Sequence, residues 1–260
     1  MSSDSLVIIP TYNEIENAED IIRAVFKLKK DFHILIVDDN SPDGTAAKVR
    51  ELQEEFAGRL HLEVRMKKEG LGKAYIHGFK WALERDYEYI FEMDADFSHN
   101  PGDLLRLYRA IIQQEAHVAV GSRYLKGVIN VVNWPLKRVL LSYGASFYVR
   151  TLTGMPVYDP TAGFICYHRD VIASLDLDSI QFVGYAFQIE MKFRAYKKGF
   201  KIIEIPIIFK DREKGRSKMS GKIINEAIFG VISMKWHSII GKKYSWNHEQ
   251  RADKECDPHQ

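Results

Sequence analysis

The chain has 260 residues, 46% of them hydrophobic and 28% charged, the balance of a globular protein with one large domain or two small ones. Lys and Arg number 37 against 35 Asp and Glu, a net +2, which argues against a protein held to nucleic acid by bulk charge. The most apolar stretch, residues 223–240, is interrupted by Asn225, Glu226, Lys235 and His237, so neither a transmembrane helix nor a signal peptide is expected; the two distant cysteines, Cys166 and Cys256, suggest a reducing compartment.

Apolar runs and helical periods alternate through the first half. Residues 6–9 read as a strand ended by Pro10. Residues 13–30 follow with Ile15, Ile21, Ile22, Val25 and Leu28 near one helix face, and Asn13 is the expected cap. A strand over 32–37 runs into the turn cluster from Asp38 to Gly44. Then come a helix over 45–56, a strand over 60–65 and the glycines Gly70 and Gly72. A helix over 73–85 leads to a strand over 89–93 and at once to Asp94-Ala95-Asp96. Pro101 suits a helix start, that helix reaches about residue 114, and residues 118–121 form a further strand. Five strands alternating with four helices imply βαβ crossovers and a mainly parallel sheet flanked by helices.

The second half is less regular. A helix over 135–150 is amphipathic, 159–163 is a loop, 164–167 a strand, 184–198 a helix and 201–209 a strand. Residues 210–222 form a charged loop, 223–240 an apolar-leaning helix, and 241–260 a polar tail expected to be disordered. One domain over 1–240 is expected, with a nucleotide-binding half (1–121) and an acceptor-binding half (122–240).

Three acidic turns fall at strand carboxyl ends, where ligands bind in parallel sheets. Asp94 and Asp96 can grip a divalent cation and leave positions for phosphate oxygens, as Mg²⁺ and Mn²⁺ prefer. A lone motif of this kind is more often a solvated turn; two further acidic turns on the same edge raise its weight. Asp38 and Asp39 suit ribose or base, whereas Asp43 reads as a helix cap. Tyr12 could stack on a base and Glu14 bond its edge. The Gly70–Lys73 segment could offer backbone N–H groups to an anion, with a tight turn equally compatible. Arg123 follows a strand end; Arg138 and Ser142, four apart, share a helix face. Glu190 reads either as a sugar or lid contact or as a structural ion pair.

In order, PTYNE, DDNSPDG, GLGKAYIHGFKWAL, DADFSHNP, GSRY, LKRVLLSYG, DPTAGF, GYAFQIEM and the RSK loop resemble the polyprenyl-phosphate mannosyltransferases of the dolichol-phosphate mannose synthase type, in glycosyltransferase family 2. The resemblance spans about residues 5–235. It implies the GT-A fold and inverting transfer of mannose from GDP-mannose to a polyprenyl monophosphate. It also implies that Pro10, Tyr12, Glu14 and Asp39 hold the guanosine, with Asp94 and Lys218 on the nucleotide sugar. Asp94, Asp96 and Ser98 would sit at Mg²⁺ or Mn²⁺; serine stands where a glutamine is common and reaches less far. Arg123, Arg138 and Ser142 would face phosphates, the last two that of the acceptor. Arg212 and Lys218 would close over the site from the mobile loop, and Asp96, Arg123 and Arg212 would act in catalysis.

A phosphate monoester acceptor is mostly a dianion at neutral pH, its second pKa being about 6, so no essential general base is expected. Transfer to a polysaccharide hydroxyl would need one. The other readings are a donor such as UDP-glucose and a catalytically idle nucleotide-sugar-binding subunit. The expected setting is peripheral, at the cytoplasmic face of a membrane, held by the acceptor, by the last helix or by an anchoring partner subunit. The helix over 135–150, with Leu136, Leu140, Tyr143 and Phe147 on one side, is expected simply to cover the sheet.

Overall fold

The computed structural model describes residues 3–211, 230–236 and 238. The expected loop over 210–222 beyond Asp211, most of the helix over 223–240, and the tail lie outside the described residues, and so do Arg212 and Lys218.

A seven-stranded sheet is the frame. Its strands are β1 (Ser5–Thr11), β2 (His33–Asp38), β3 (Leu60–Val64), β4 (Tyr89–Glu92), β5 (Val118–Ser122), β9 (Ile165–His168) and β10 (Ile202–Pro206), in the spatial order β10-β5-β9-β4-β1-β2-β3. Strands β1 to β4 are parallel, and β10 is parallel to β5. Strand β9 is antiparallel to both β4 and β5, between which it lies. Short pairs accompany the sheet: β6 (Tyr124–Leu125) with β7 (Val128–Ile129), and β8 (Val131–Val132) with β11 (Phe209–Lys210). The single strand expected over 201–209 is therefore two, β10 and β11.

The runs of β1, β2, β4, β5 and β9 are mostly apolar and buried because both faces are covered. Successive side chains point to opposite faces. Leu6 and Ile8 of β1 join a core with α3 (Leu71–Leu83), α6 (Arg169–Ser174) and α7 (Tyr185–Lys197). Val7 and Ile9 join a second core with α1 (Ile15–Phe26), α2 (Thr45–Glu55) and α4 (Asp103–Gln113).

A third cluster packs Val149 at the end of α5 (Leu136–Thr153) against Ile189 and Phe193 of α7 and Val231 and Met234. Gly154, at φ 72°, ends α5 with its N–H on the Arg150 carbonyl, the left-handed closure glycine permits. Only Ser146, Val149 and Thr153 of α5 are buried. Leu136, Leu140, Tyr143 and Phe147, 71%, 63%, 41% and 64% exposed, lie at the spacing of one helical stripe. The expectation that this helix merely covers the sheet is corrected: its apolar stripe is largely exposed, with Tyr143 edge-on to Tyr124.

The first acidic turn also differs. Asn13 does not cap α1. It sits at φ 55°, and the capping position is Glu14, which makes no side-chain capping bond. Asp43 does cap locally, accepting from the Thr45 and Ile15 N–H groups.

Candidate active site

The carboxyl edge gathers loops from β1, β2, β4 and β5, with the loop that enters β9. Register explains their proximity. Thr11 lies opposite Asp38, so the Thr11 hydroxyl donates to Asp38 Oδ2 at 2.8 Å. Asp38 also accepts from the Ser41 N–H and hydroxyl. It is fully buried and acts as the brace of this turn; it does not present itself to a ligand. Asp39 is paired with Arg65, Nε to Oδ1 at 2.6 Å. Tyr12 carries the Lys68 ammonium 4.2 Å above its ring, and Glu14 Oε2 accepts from Asn17 Nδ2. The loop after β1 and those after β2 and β3 thus form one wall, with Pro10 at the end of β1.

Strand β4 delivers the acidic pair. Ile8 pairs with Glu92, so Asp94 and Asp96 emerge just above the core. Asp96 is buried, and its Oδ1 accepts from the Ser98 N–H at 3.1 Å. Beneath, Glu92 is fully enclosed, with Oε2 accepting from Gln188 Nε2 at 2.6 Å. Burial pushes its carboxyl up to about 8, against the opposing pull of Gln188 and Lys192. His99 stacks on Phe164, ring centroids 4.8 Å apart, and burial lowers its imidazole to about 4.

Strand β5 delivers Arg123. Asp159 takes its Nε and Nη2, each at 2.7 Å, and its backbone N–H at 3.0 Å; Nη2 also reaches the Thr161 hydroxyl. A fork-on-fork pair of this kind fixes a guanidinium in angle as well as position. Arg123 holds Asp159 below the usual carboxylate range although burial acts the other way and is the largest influence. The Arg123 guanidinium also lies 5.7 Å from the Trp134 ring, which Arg138 approaches to 3.9 Å and Phe209 meets edge-on at 5.4 Å. Arg138 bonds Asp211 at 2.9 Å, and Ser142 lies one turn further along α5, beside Tyr124. The Lys210 N–H bonds the Ser98 carbonyl and the Asp211 N–H the Val132 carbonyl. The chain therefore enters the basic segment directly against the acidic turn.

Packing accounts for Gly72 and for Glu190. The Gly72 N–H donates to the Val183 carbonyl at 2.8 Å, and a Cβ there would come within 2.8 Å of the Phe187 ring. The glycine serves close approach of α3 to α7, and that N–H is not offered to an anion. Glu190 is fully buried, accepting from Arg194 and from the Gln181 and Phe182 N–H groups; it is the structural ion pair. Conversely, Asp159, Thr161, Trp134, His99, Arg65 and Lys68 carry the geometry but were not singled out. The DPTAGF and DADFSHNP motifs contained three of them, with nothing in the spacing to assign a partner.

A hard divalent cation fits the donor chemistry of Asp94 and Asp96. Among the described residues no group of three His, Cys, Asp or Glu is arranged to hold a metal ion.

Residues 6–175 match the family model described as glycosyl transferase family 2. The chain belongs to this family. As a family 2 glycosyltransferase it is 48% identical over 227 residues to a polyprenol monophosphomannose synthase of Mycolicibacterium smegmatis, covering 87% of this chain and 85% of that protein. It is 42% identical over 240 residues to an undecaprenyl-phosphate mannosyltransferase of Micrococcus luteus, covering 90% and 96%. In architecture it resembles the glucosyl-3-phosphoglycerate synthase of Mycobacterium tuberculosis, solved with Mn²⁺, UDP and glucosyl-3-phosphoglycerate. There the TM-score is 0.61 at 17% identity, over 92% of this chain and 81% of that one. The central sheet and its helices are those of the GT-A fold.

Proposed function

We propose that this glycosyltransferase moves mannose from GDP-mannose to a polyprenyl monophosphate with inversion, giving a β-linked polyprenyl phosphate mannose. One observation carries the reading. The acidic pair Asp94 and Asp96 shares the carboxyl edge with Arg123 and Arg138, which flank Trp134, and the exposed apolar stripe of α5 starts beside Arg138. Such an arrangement suits two phosphates, one of them on an apolar tail. The two relatives named above act, by their names, on polyprenyl phosphates or as mannosyltransferases.

In this reading Pro10, Tyr12, Glu14 and Asp39 line the nucleoside wall. Asp94 and Asp96, with Ser98 nearby, would hold Mg²⁺ or Mn²⁺. When bound, that cation would offset charge developing on the leaving diphosphate. Arg123, held by Asp159, presents a fixed positive charge between the two substrates and lowers their mutual repulsion. Arg138 and Ser142 receive the acceptor phosphate. Arg212 and Lys218, outside the described residues, would close over the site. The acceptor, a dianion for the most part at neutral pH, attacks without a protein base.

Among the described residues no helix is long and apolar enough to cross a membrane. Peripheral association at the cytoplasmic face, through the α5 stripe or an anchoring partner subunit, fits the reading, as does a single domain over 1–240. The test is incubation with a panel of labelled nucleotide sugars and short polyprenyl phosphates, with Mg²⁺ or Mn²⁺ or with chelator. Lipid-linked mannose from GDP-mannose, lost on chelation, is expected. A product from UDP-glucose alone, or none at all, overturns it.

A further inference from the structure

Helix α7 is apolar where it meets the sheet, except at two residues one turn apart. Gln188 and Lys192 are 2% and 0% exposed. Burying an ammonium carries a large desolvation penalty unless all its hydrogens are bonded. Here they are: Lys192 Nζ donates to the carbonyls of Pro160 at 3.1 Å, Ala162 at 2.6 Å and Gln188 at 3.0 Å. Two of these acceptors flank Thr161, in the loop whose Asp159 fixes Arg123. From the far side Glu204 of β10 accepts the N–H groups of Tyr158 and Asp159, at 2.7 and 2.9 Å. The loop is thus gripped at its N–H groups by the half-buried Glu204 and at its carbonyls by the buried Lys192.

Gln188 faces the other half of the site. It bonds Glu92 at 2.6 Å, two residues before Asp94. Strands β4 and β5 are not neighbours, and their shared ladder through β9 ends at Glu92, Ile165 and Val120. Beyond that rung, among the described residues, no strand pairing ties the loop after β4 to the loop before β9; the His99–Phe164 stack and the Gln188–Lys192 face of α7 do.

We propose that Gln188 and Lys192 are positioning residues that set the spacing between Asp94 and Asp96 on one side and Arg123 on the other. They touch neither substrate and act through Glu92 and the 158–163 loop. The proposal rests on the function above only for the identity of the two substrates whose reacting atoms this spacing aligns. A misplacement of about 1 Å remote from the chemistry can lower a rate about a hundredfold.

Hydrogen exchange and steady-state kinetics on Gln188→Met and Lys192→Met test it. Lys192→Met should raise amide exchange in residues 158–163, and Gln188→Met in 93–98, by about tenfold or more, with β1 and β2 unchanged. In each, kcat should fall about 30- to 100-fold, with KM for both substrates within about threefold. Lys192→Arg, which keeps N–H donors to the carbonyls, should recover most of the lost kcat. Phe193→Leu, in the third cluster of the same helix, should lower Tm and leave kcat within about twofold. Unchanged exchange in both loops, or a kcat that merely tracks the folded fraction, overturns the bracket. If Lys192→Met does not fold, Lys192→Gln, polar but too short to reach all three carbonyls, gives the 158–163 exchange readout, and Gln188→Met gives that of 93–98. Absence of mannosyl transfer in the wild-type protein would overturn the substrate assignment, while the exchange result still decides the bracket.

Discussion

Arg123 and Asp159 make the strongest case for reading the site through single residues. Both are buried, and the aspartate has no exposed side-chain surface. Removing one member of such a pair strands the other charge, a loss of about 3–5 kcal/mol. Asp159→Ala is therefore expected to lower the urea midpoint by that equivalent and to reduce turnover by about a hundredfold as Arg123 loses its orientation. An unfolding curve matching wild type would refute this. The arginine was legible as a cation after a strand end. Its partner was not, because the two lie 36 residues apart and meet only when an antiparallel strand brings the 158–163 loop back to the edge. Asp38 shows the opposite failure. Its position at the end of β2 suggested a ligand contact, yet Thr11 and Ser41 occupy its oxygens, since short-range turn chemistry competes for carboxylates at strand ends.

Elements were legible wherever one period dominated. Helices α1, α3 and α4 and the first five strands fall within a few residues of their expected places, because their apolar patterns are fixed by the core. The short β6, β7, β8 and β11 were not, having two residues each and no period to read. Helix packing gives a sharp test at Gly72, where any Cβ meets the Phe187 ring at 2.8 Å and the Phe182 carbonyl at 2.9 Å. Gly72→Ala should destabilise by about 1–3 kcal/mol by overpacking; a thermal melt unchanged from wild type would count against it. At the opposite end of the sheet, His33 at the start of β2 bonds Tyr87 at 2.8 Å, and the His61 ring of β3 lies 4.9 Å from Trp81. Burial lowers both imidazoles below their usual 6.5. Depressed values mean the stability they hold is present above pH 6.5 and lost as pH falls through the folded values, because the unfolded chain binds those protons first. His61→Phe keeps the ring against Trp81 and removes one of the two sites. Its Tm should fall less between pH 7.5 and 5 than that of wild type, and an equal fall would exclude this account.

At the scale of the whole molecule, charge is segregated although the net is close to zero. Acidic turns lie after β2 and β4, while Lys137 and Arg138 open α5 beside its apolar stripe. A basic, apolar-striped helix is suited to an anionic interface. Leu140→Asp combined with Phe147→Asp should weaken binding to anionic vesicles by about tenfold or more, given roughly 1.5–3 kcal/mol for each buried apolar side chain, with Tm unchanged. Co-sedimentation equal to wild type would show that this stripe is not the contact.

The reversed β9 also imposes an order in time. As the chain leaves the ribosome at about 5–20 residues per second, β4 and β5 emerge with no strand yet available to join them. Arg123 emerges with them, without its counter-ion. For several seconds of synthesis the growing half-sheet carries an unshielded strand edge and an unmatched guanidinium. Both are resolved together when β9 inserts. The 1–121 segment is thus a stretch of sequence whose sheet stays open between β4 and β5 until β9 arrives. Its vulnerable interval, when chaperones or neighbouring nascent chains could engage it, closes with the arrival of a single short strand.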